Sequence, residues 1–240
     1  MTRWCLNIGN TRTACGPEGK APFAALRFFP TPSFPDDWQM APEDCAVAAC
    51  VVPAKRAALA ARCGAHIHFI TAEDYPQLDF SGYDLNALGA DRIANAAALH
   101  QLFPRTPAMA IDCGTATNSV VVDAAGRFCG GVILPGRRTA RAALARAAAQ
   151  LPDLPENDLQ RLTPLALNTA DAIASGVDLG LAGAIRALVE AVHALPGLDG
   201  CPVVLCGGDA PFLAELLPAS LPVQLLDFSL TLFGVSLARH

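Results

Sequence analysis

Charge is scarce in this 240-residue chain: 16% of its residues are Asp, Glu, Lys or Arg, and the net charge is −5. No basic cluster appears beyond Arg137-Arg138-Thr139-Ala140-Arg141, a run that reads as the solvated face of a helix start, and this argues against a nucleic-acid surface. The nine cysteines include no Cys-x-x-Cys pair. Their odd number and apolar settings argue against a disulfide framework and fit buried thiols in a reducing cytoplasm. No apolar signal core opens the chain and no segment approaches ~20 apolar residues, so neither export nor a membrane span is expected. His66 and His68 share one face of a short strand, but a metal would need a third ligand, so both are expected to be structural. What the chain has instead is apolar bulk. At 52% hydrophobic it can bury a sizeable core, in one large domain or two small ones.

The chain is organised around Ala108–Ala116, Ala-Met-Ala-Ile-Asp-Cys-Gly-Thr-Ala, an apolar run that ends in Asp112 with Gly114 and Thr115 just beyond. Val120–Asp123 and Phe128–Ile133 read as further strands, with Ala124-Ala125-Gly126 as the turn between them. An Asp-x-Gly-Thr turn suits an anion: glycine lets the backbone approach, amides and a hydroxyl donate, and the aspartate can hold a cation. By itself the same pattern also describes an ordinary hairpin. A related turn, Asn7-Ile8-Gly9-Asn10-Thr11, follows the apolar strand at the N-terminus. Two such turns, each opening half of the chain, predict an internal duplication.

Between them, Asn86–Phe103 reads as a helix. Its stripe Leu88, Asp91, Arg92, Asn95, Leu99 and Leu102 places an acid and a base between leucines. Either that stripe lines an apolar-walled site or the alanine-rich face is the buried one. Thr169–Ala194 is a long amphipathic helix whose Gly176, Gly180 and Gly183 predict a close approach, since each glycine costs a helix roughly 1 kcal/mol. Val203–Cys206 leads into Gly207-Gly208-Asp209-Ala210 and another helix, a seat for a base or sugar. Ser229–Ala238 closes the chain as a helix.

Taken in order, these motifs resemble the type III pantothenate kinases, over nearly the whole chain. The family's opening Asp-x-Gly-Asn-Thr/Ser corresponds to Asn7–Thr11, its Gly-x-Asp-Arg to Gly89-Ala90-Asp91-Arg92, and its Asp-x-Gly-Thr-Ala to Asp112–Ala116. Its Gly-Gly-x-Ile-x-Pro-Gly corresponds to Gly130–Gly136, its Thr-x-x-x-Ile-x-x-Gly to Thr169–Gly176, its adenosine turn to Gly207-Gly208, and its Leu-Thr-Leu-x-Gly tail to Leu230–Gly234.

The resemblance implies the sugar-kinase and actin superfamily: an α/β chain of two ribonuclease-H-like, actin-like ATPase lobes, at 1–106 and 107–240, with a nucleotide cleft between them. It implies phosphorylation of pantothenate by ATP with Mg²⁺, in the first step of coenzyme A biosynthesis. Asp91 would be the general base. Arg92 would take the pantothenate carboxylate, with Gly89, Ala90, Tyr83 and Thr169 also at that substrate. Asn7, Gly9, Asn10, Thr11, Thr115, Gly207 and Gly208 would bind ATP, and Asp112 a monovalent cation, K⁺ or NH₄⁺. A cytoplasmic homodimer is implied, with no nucleic-acid or membrane partner.

The chain departs from the family pattern in places. Asn7 stands where the family has aspartate, Thr13 and Ala14 where a lysine is usual, Asn118 for a threonine and Val120 for a frequent aspartate, and Tyr83 matches a pocket aromatic loosely. Asn7 leaves two alternatives: a degenerate, non-catalytic or regulatory homologue, or a kinase of another small hydroxyl acceptor.

Overall fold

The N-terminal apolar run becomes β1 (Arg3–Ile8), which turns back into β2 (Arg12–Pro17) and continues to β3 (Arg27–Pro30). The computed structural model describes residues 1–18, 25–36, 38–155, 162–225 and 229–239. After the meander come β4 (Cys45–Cys50), α1 (Pro53–Cys63) and β5 (Ile67–Phe69). The sheet order is β3-β2-β1-β4-β5. The three meander strands run antiparallel, and β4 and β5 add in parallel on the far side of β1. Cys45-Ala46-Val47-Ala48-Ala49-Cys50 is apolar throughout because β4 is buried on both faces, as parallel strands covered by helices are. Leu6, Ile8, Ala46 and Ala48 face a cluster with Phe34, Trp38 and Leu59. On the other side α2 (Ala90–Leu102) packs on β4, and α6 (Ser229–Ser236) packs on β1, β4 and α2.

The second half repeats the plan. β6 (Ala108–Cys113) and β7 (Ala116–Val122) form a hairpin, followed by β8 (Phe128–Gly130), β9 (Ile133–Pro135), α3 (Arg137–Ala147) and α4 (Thr169–His193). β10 (Val203–Cys206), α5 (Ala210–Leu216) and β11 (Val223–Leu225) complete it. The order is β11-β10-β6-β7-β8, with β9 also pairing to β7. β10 runs parallel to β6 and β11 parallel to β10. Both sheets therefore have a leading strand with its meander on one side and two parallel strands on the other, the ribonuclease-H-like order.

Packing groups Met1–Ala108 with Val120–Gly130 and Phe228–His240, and Met109–Ser119 with Gly131–Asp227. In the first unit, the Thr231 hydroxyl donates to Asn95 Oδ1 at 2.9 Å and the Tyr75 hydroxyl to the Gly234 carbonyl at 2.9 Å. The Leu-Thr-Leu-x-Gly tail thereby fastens α6 to the elements it covers.

Several expectations change. α2 starts at Ala90 rather than Asn86, because Asp84 caps a local turn by accepting from the Asn86 amide at 3.0 Å. Neither of its faces alone is the buried one: Arg92, Ile93, Ala94, Asn95, Ala96, Ala97, Ala98 and Leu99 are all buried, and only the end of the stripe, Leu102, emerges. The predicted close approach at Gly176, Gly180 and Gly183 is not found; a Cβ at each would meet nothing within 4 Å among the described residues. α4 is also long and apolar enough, by length and composition, to cross a membrane, contrary to the reading of apolar runs. Its middle holds the fully buried Asp178, and Ile173, Leu181, Ile185 and Val189 are buried within its unit, as in a core helix. The prolines between Leu151 and Leu167 mark that stretch as a loop in the sequence, and part of it, residues 156–161, lies outside the described residues.

Candidate active site

In the first unit the Gly9–Thr11 turn joins β1 to β2, closed by the Gly9 amide donating to the Arg12 carbonyl at 3.1 Å. Asn7 sits half-buried on β1, between Ala14 and Ala49 on the flanking strands. Asn10 and Thr11 are exposed.

The same unit holds the acid and base of α2. Gly89 is the N-cap, so Asp91 stands in the first turn, and its Oδ1 accepts at 2.8 Å from the Arg92 amide, which also donates to the Gly89 carbonyl at 3.0 Å. Burial pushes the Asp91 carboxyl up, against that hydrogen bond and the Arg92 charge. A carboxyl poised this way suits a general base better than an ordinary one.

Arg92 is 4% exposed. Its Nη1 donates to the Tyr83 hydroxyl at 3.0 Å, and its guanidinium lies 5.3 Å from the Tyr83 ring centre and 5.5 Å from that of Phe128. The two rings meet edge to face at 5.2 Å. Nε and Nη2 of Arg92 are buried without a hydrogen-bond partner among the described residues. Leaving a buried charged donor unmet costs more than the ~1–3 kcal/mol of a neutral one, so this pair of donors marks a place for an acidic ligand group. The fold thus brings Tyr83 to Arg92. Phe128 was not anticipated, since only tertiary pairing brings it there.

In the second unit Asp112, half-buried at the end of β6, neighbours the Gly207 turn. Gly207 has φ +90°, and a Cβ there would lie 2.5 Å from both Asp112 Oδ1 and the Cys113 carbonyl. Only glycine permits that turn to sit against β6. The Asp209 amide donates to the Cys113 carbonyl at 2.9 Å, binding the Gly207-Gly208 turn to the Asp-x-Gly-Thr hairpin. The Thr115 carbonyl accepts from the Gly136 amide at 3.1 Å and the Thr139 hydroxyl at 2.6 Å. A Cβ on Gly136 would lie 1.9 Å from the Gly114 carbonyl, so the Gly-Gly-x-Ile-x-Pro-Gly motif ends in glycine to pass beneath that hairpin.

A buried ion network supports this side. Arg137 donates Nε and Nη2 to the two Asp178 oxygens at 3.0 and 3.1 Å and Nη1 to Asp209 at 3.3 Å. Arg141 Nη2 reaches Asp178 at 2.6 Å. The Arg137 guanidinium stacks 3.5 Å from the Phe212 ring centre. Burial works to lower the Arg137 pKa, but the bonds and charges of Asp178 and Asp209 prevail and hold it above its ordinary value. The sequence run Arg137–Arg141 is therefore no solvated basic face, because α4 supplies a buried acid to it. Thr169 begins α4 behind its cap Asn168, which accepts from the Asp171 amide at 2.9 Å. It lines a cavity of about 690 Å³ with Leu144, Leu151, Leu167, Ile173 and Gly176.

Among the described residues no three His, Cys, Asp or Glu side chains converge to cage a metal ion. His68 pairs instead with Asp74 at 2.9 Å, and all nine cysteines are free. Asp112 Oδ1 and the Cys113 carbonyl oxygen both lie against the Gly207 turn, hard oxygens of the kind that could hold a cation. A divalent ion here would rely on phosphate and water oxygens, as Mg²⁺ commonly does.

A sequence profile of the type III pantothenate kinase family matches residues 5–191. The chain is 40% identical over 158 residues to the type III pantothenate kinase of Rubrobacter xylanophilus, covering 63% of this chain and 57% of that protein. It is 36% identical over 155 residues to that of Porphyromonas gingivalis, covering 64% and 62%. The chain thus spans less than two thirds of the length of these relatives. Among solved structures, one described as a conserved putative Baf family transcriptional activator from Campylobacter jejuni superposes with a TM-score of 0.65 at 18% identity, covering 98% of this chain and 94% of that one. An activator of the 2-hydroxyisocaproyl-CoA dehydratase from Clostridium difficile, solved with bound ADPNP, gives 0.57 at 13%, covering 99% and 93%. At such identities these two speak for the fold alone.

Proposed function

Since the chain belongs to the type III pantothenate kinase family, we propose that it phosphorylates pantothenate with ATP, giving 4′-phosphopantothenate and ADP, in the first step of coenzyme A biosynthesis. The observation that carries this reading is Arg92: a buried guanidinium with two donor nitrogens unmet among the described residues, one residue after a carboxyl raised by burial. Pantothenate brings what that pair requires, a carboxylate for Arg92 and a hydroxyl for Asp91.

Asp91 takes the proton of the attacking hydroxyl as its oxygen forms the new P–O bond. The β–γ bridging bond breaks, and its electrons leave on ADP. Phosphoryl transfer asks the protein for little more than position and charge neutralisation. Arg92 fixes the acceptor through its carboxylate, with Tyr83 holding the guanidinium in place and Gly89 and Ala90 at the same helix start. The Gly9–Thr11 turn and Thr115 offer amides and hydroxyls to the phosphates, and Gly207 and Gly208 take the adenosine. Thr169 contributes a further contact to pantothenate. The Asn7 amide oxygen is the group that would face nucleotide-borne Mg²⁺, and Asp112 would hold K⁺ or NH₄⁺; those cations supply charge neutralisation to the phosphates when bound. The two sheet repeats, 1–106 and 107–240, would each contribute one phosphate turn. A cytoplasmic homodimer completes the reading, and light scattering of the purified chain checks the dimer.

Of the alternatives, a purely regulatory homologue has no use for a buried arginine with unmet donors beside a poised carboxyl. Incubation with ATP, Mg²⁺ and pantothenate in potassium, followed by mass spectrometry, should reveal an acceptor heavier by one phosphoryl group, and less of it when sodium replaces potassium. ATP left intact in every salt would sink the proposal.

A further inference from the structure

Asn10 and Thr11 of the first turn are exposed, yet two buried threonines lie against its backbone. Thr13 on β2 is 0% exposed, and Thr31, just past β3, is 2% exposed. The Thr31 amide donates to the Thr11 carbonyl at 3.0 Å, and its hydroxyl donates to the Gly9 carbonyl at 2.7 Å. The Thr13 and Thr31 hydroxyl oxygens are 2.9 Å apart. A threonine hydroxyl has one proton to give. That of Thr31 goes to Gly9, so the proton between the two hydroxyls comes from Thr13, and the relay runs Thr13 to Thr31 to Gly9. Thr31 thereby grips both the Gly9 and the Thr11 carbonyl, on either side of Asn10.

The consequence follows from the planar trans peptide, in which C=O and N–H point in opposite directions. Holding the Gly9 carbonyl inward on Thr31 turns the Asn10 amide outward. It also keeps two carbonyl oxygens, which would repel a phosphate, away from the exposed side of the turn. A backbone turn binds anions only while its N–H groups face the ligand. This relay occupies the neighbourhood where Thr13 and Ala14 replace the lysine usual in the family. At those two positions the chain thus brings orientation in place of charge.

We infer that Thr31 is a positioning residue for the nucleotide phosphates, acting through the Gly9–Thr11 turn with Thr13 behind it. The inference rests on the reading of that turn as a phosphate site. It is tested by calorimetry with a non-hydrolysable ATP analogue and Mg²⁺, and separately with pantothenate, on wild type, Thr31→Val, Thr31→Ser and Thr13→Val. Thr31→Val keeps the shape and removes the relay. It should weaken nucleotide binding by about 5- to 30-fold, the scale of one or two unmet buried hydrogen bonds, and leave pantothenate binding unchanged. Thr31→Ser should restore nucleotide affinity, and Thr13→Val should fall between, since Thr31 still reaches Gly9. If Thr31→Val, or Thr13→Val should the former not fold, binds nucleotide as wild type does, Thr31 is only structural, whatever happens to the melting temperature. A wild type that binds no nucleotide is a separate result: it removes the phosphate reading and this inference with it.

Discussion

Replacing Asp91 by asparagine separates chemistry from stability more sharply than any other change at this site. An asparagine oxygen can still accept from the Arg92 amide, which Asp91 Oδ1 meets at 2.8 Å, and the Arg92–Tyr83 contact is untouched. Both KM values should therefore stay within about threefold of wild type, the allowance for a near-isosteric change at a retained hydrogen bond. The lost proton acceptor should lower kcat by about 10²- to 10⁴-fold, the usual contribution of a positioned general base. Stability should move the other way. Burial raises the Asp91 carboxyl in the folded chain, so the fold holds that proton more tightly than the unfolded chain does. The stability this confers is present below the ordinary carboxylate range and is lost as pH rises through the raised value. At neutral pH the ionised carboxylate thus costs the fold, and asparagine, which never ionises, does not. Asp91→Asn should melt above wild type at pH 7, with the gap closing as pH falls into the carboxylate range. The assay is steady-state ADP release together with melting curves from pH 7 to pH 4. Near-normal kcat would remove Asp91 from the mechanism, and a lower melting temperature at pH 7 would refute the burial argument.

Two further outcomes are expected. Asn7→Asp should lower the KM for ATP or raise kcat in steady-state kinetics at saturating Mg²⁺, because a carboxylate is the commoner partner of that ion; a slower enzyme would mean the turn is built around asparagine. Gly180 is exposed within α4 and a Cβ there meets nothing within 4 Å among the described residues, so Gly180→Ala should stabilise the chain by about 0.5–1 kcal/mol in urea titration; a loss would show that something covers that face.

Local patterns carried the plan of the fold. The apolar runs of β1, β4 and β6 and the two small-polar turns predict two similar halves, and both sheets do repeat one order, because strand burial and turn chemistry are written into neighbouring residues. The helix stripe of α2 was harder. Alanine is small enough to be buried or exposed, and only α6, far along the chain, decides that both faces of α2 are covered. The donors of Arg92 could not be counted from sequence either, since the hydroxyl of Tyr83 and the ring of Phe128 reach it from separate segments. Arg137 and Arg141 read as surface charges for the same reason: their buried acid, Asp178, lies more than thirty residues on. The glycines of α4 mislead because propensity records their cost, whereas only the structure reveals that no described residue comes close.

The measurement that bears most directly on the central claim is acceptor-dependent ADP release by the wild-type chain with Mg²⁺ and potassium, comparing pantothenate with an analogue whose carboxylate is reduced to an alcohol. Arg92 beside Asp91 predicts turnover that requires pantothenate, yields a phosphorylated product, and falls steeply with the analogue although its reacting hydroxyl is intact. ADP release that is the same with pantothenate, with the analogue and with no acceptor would contradict the account.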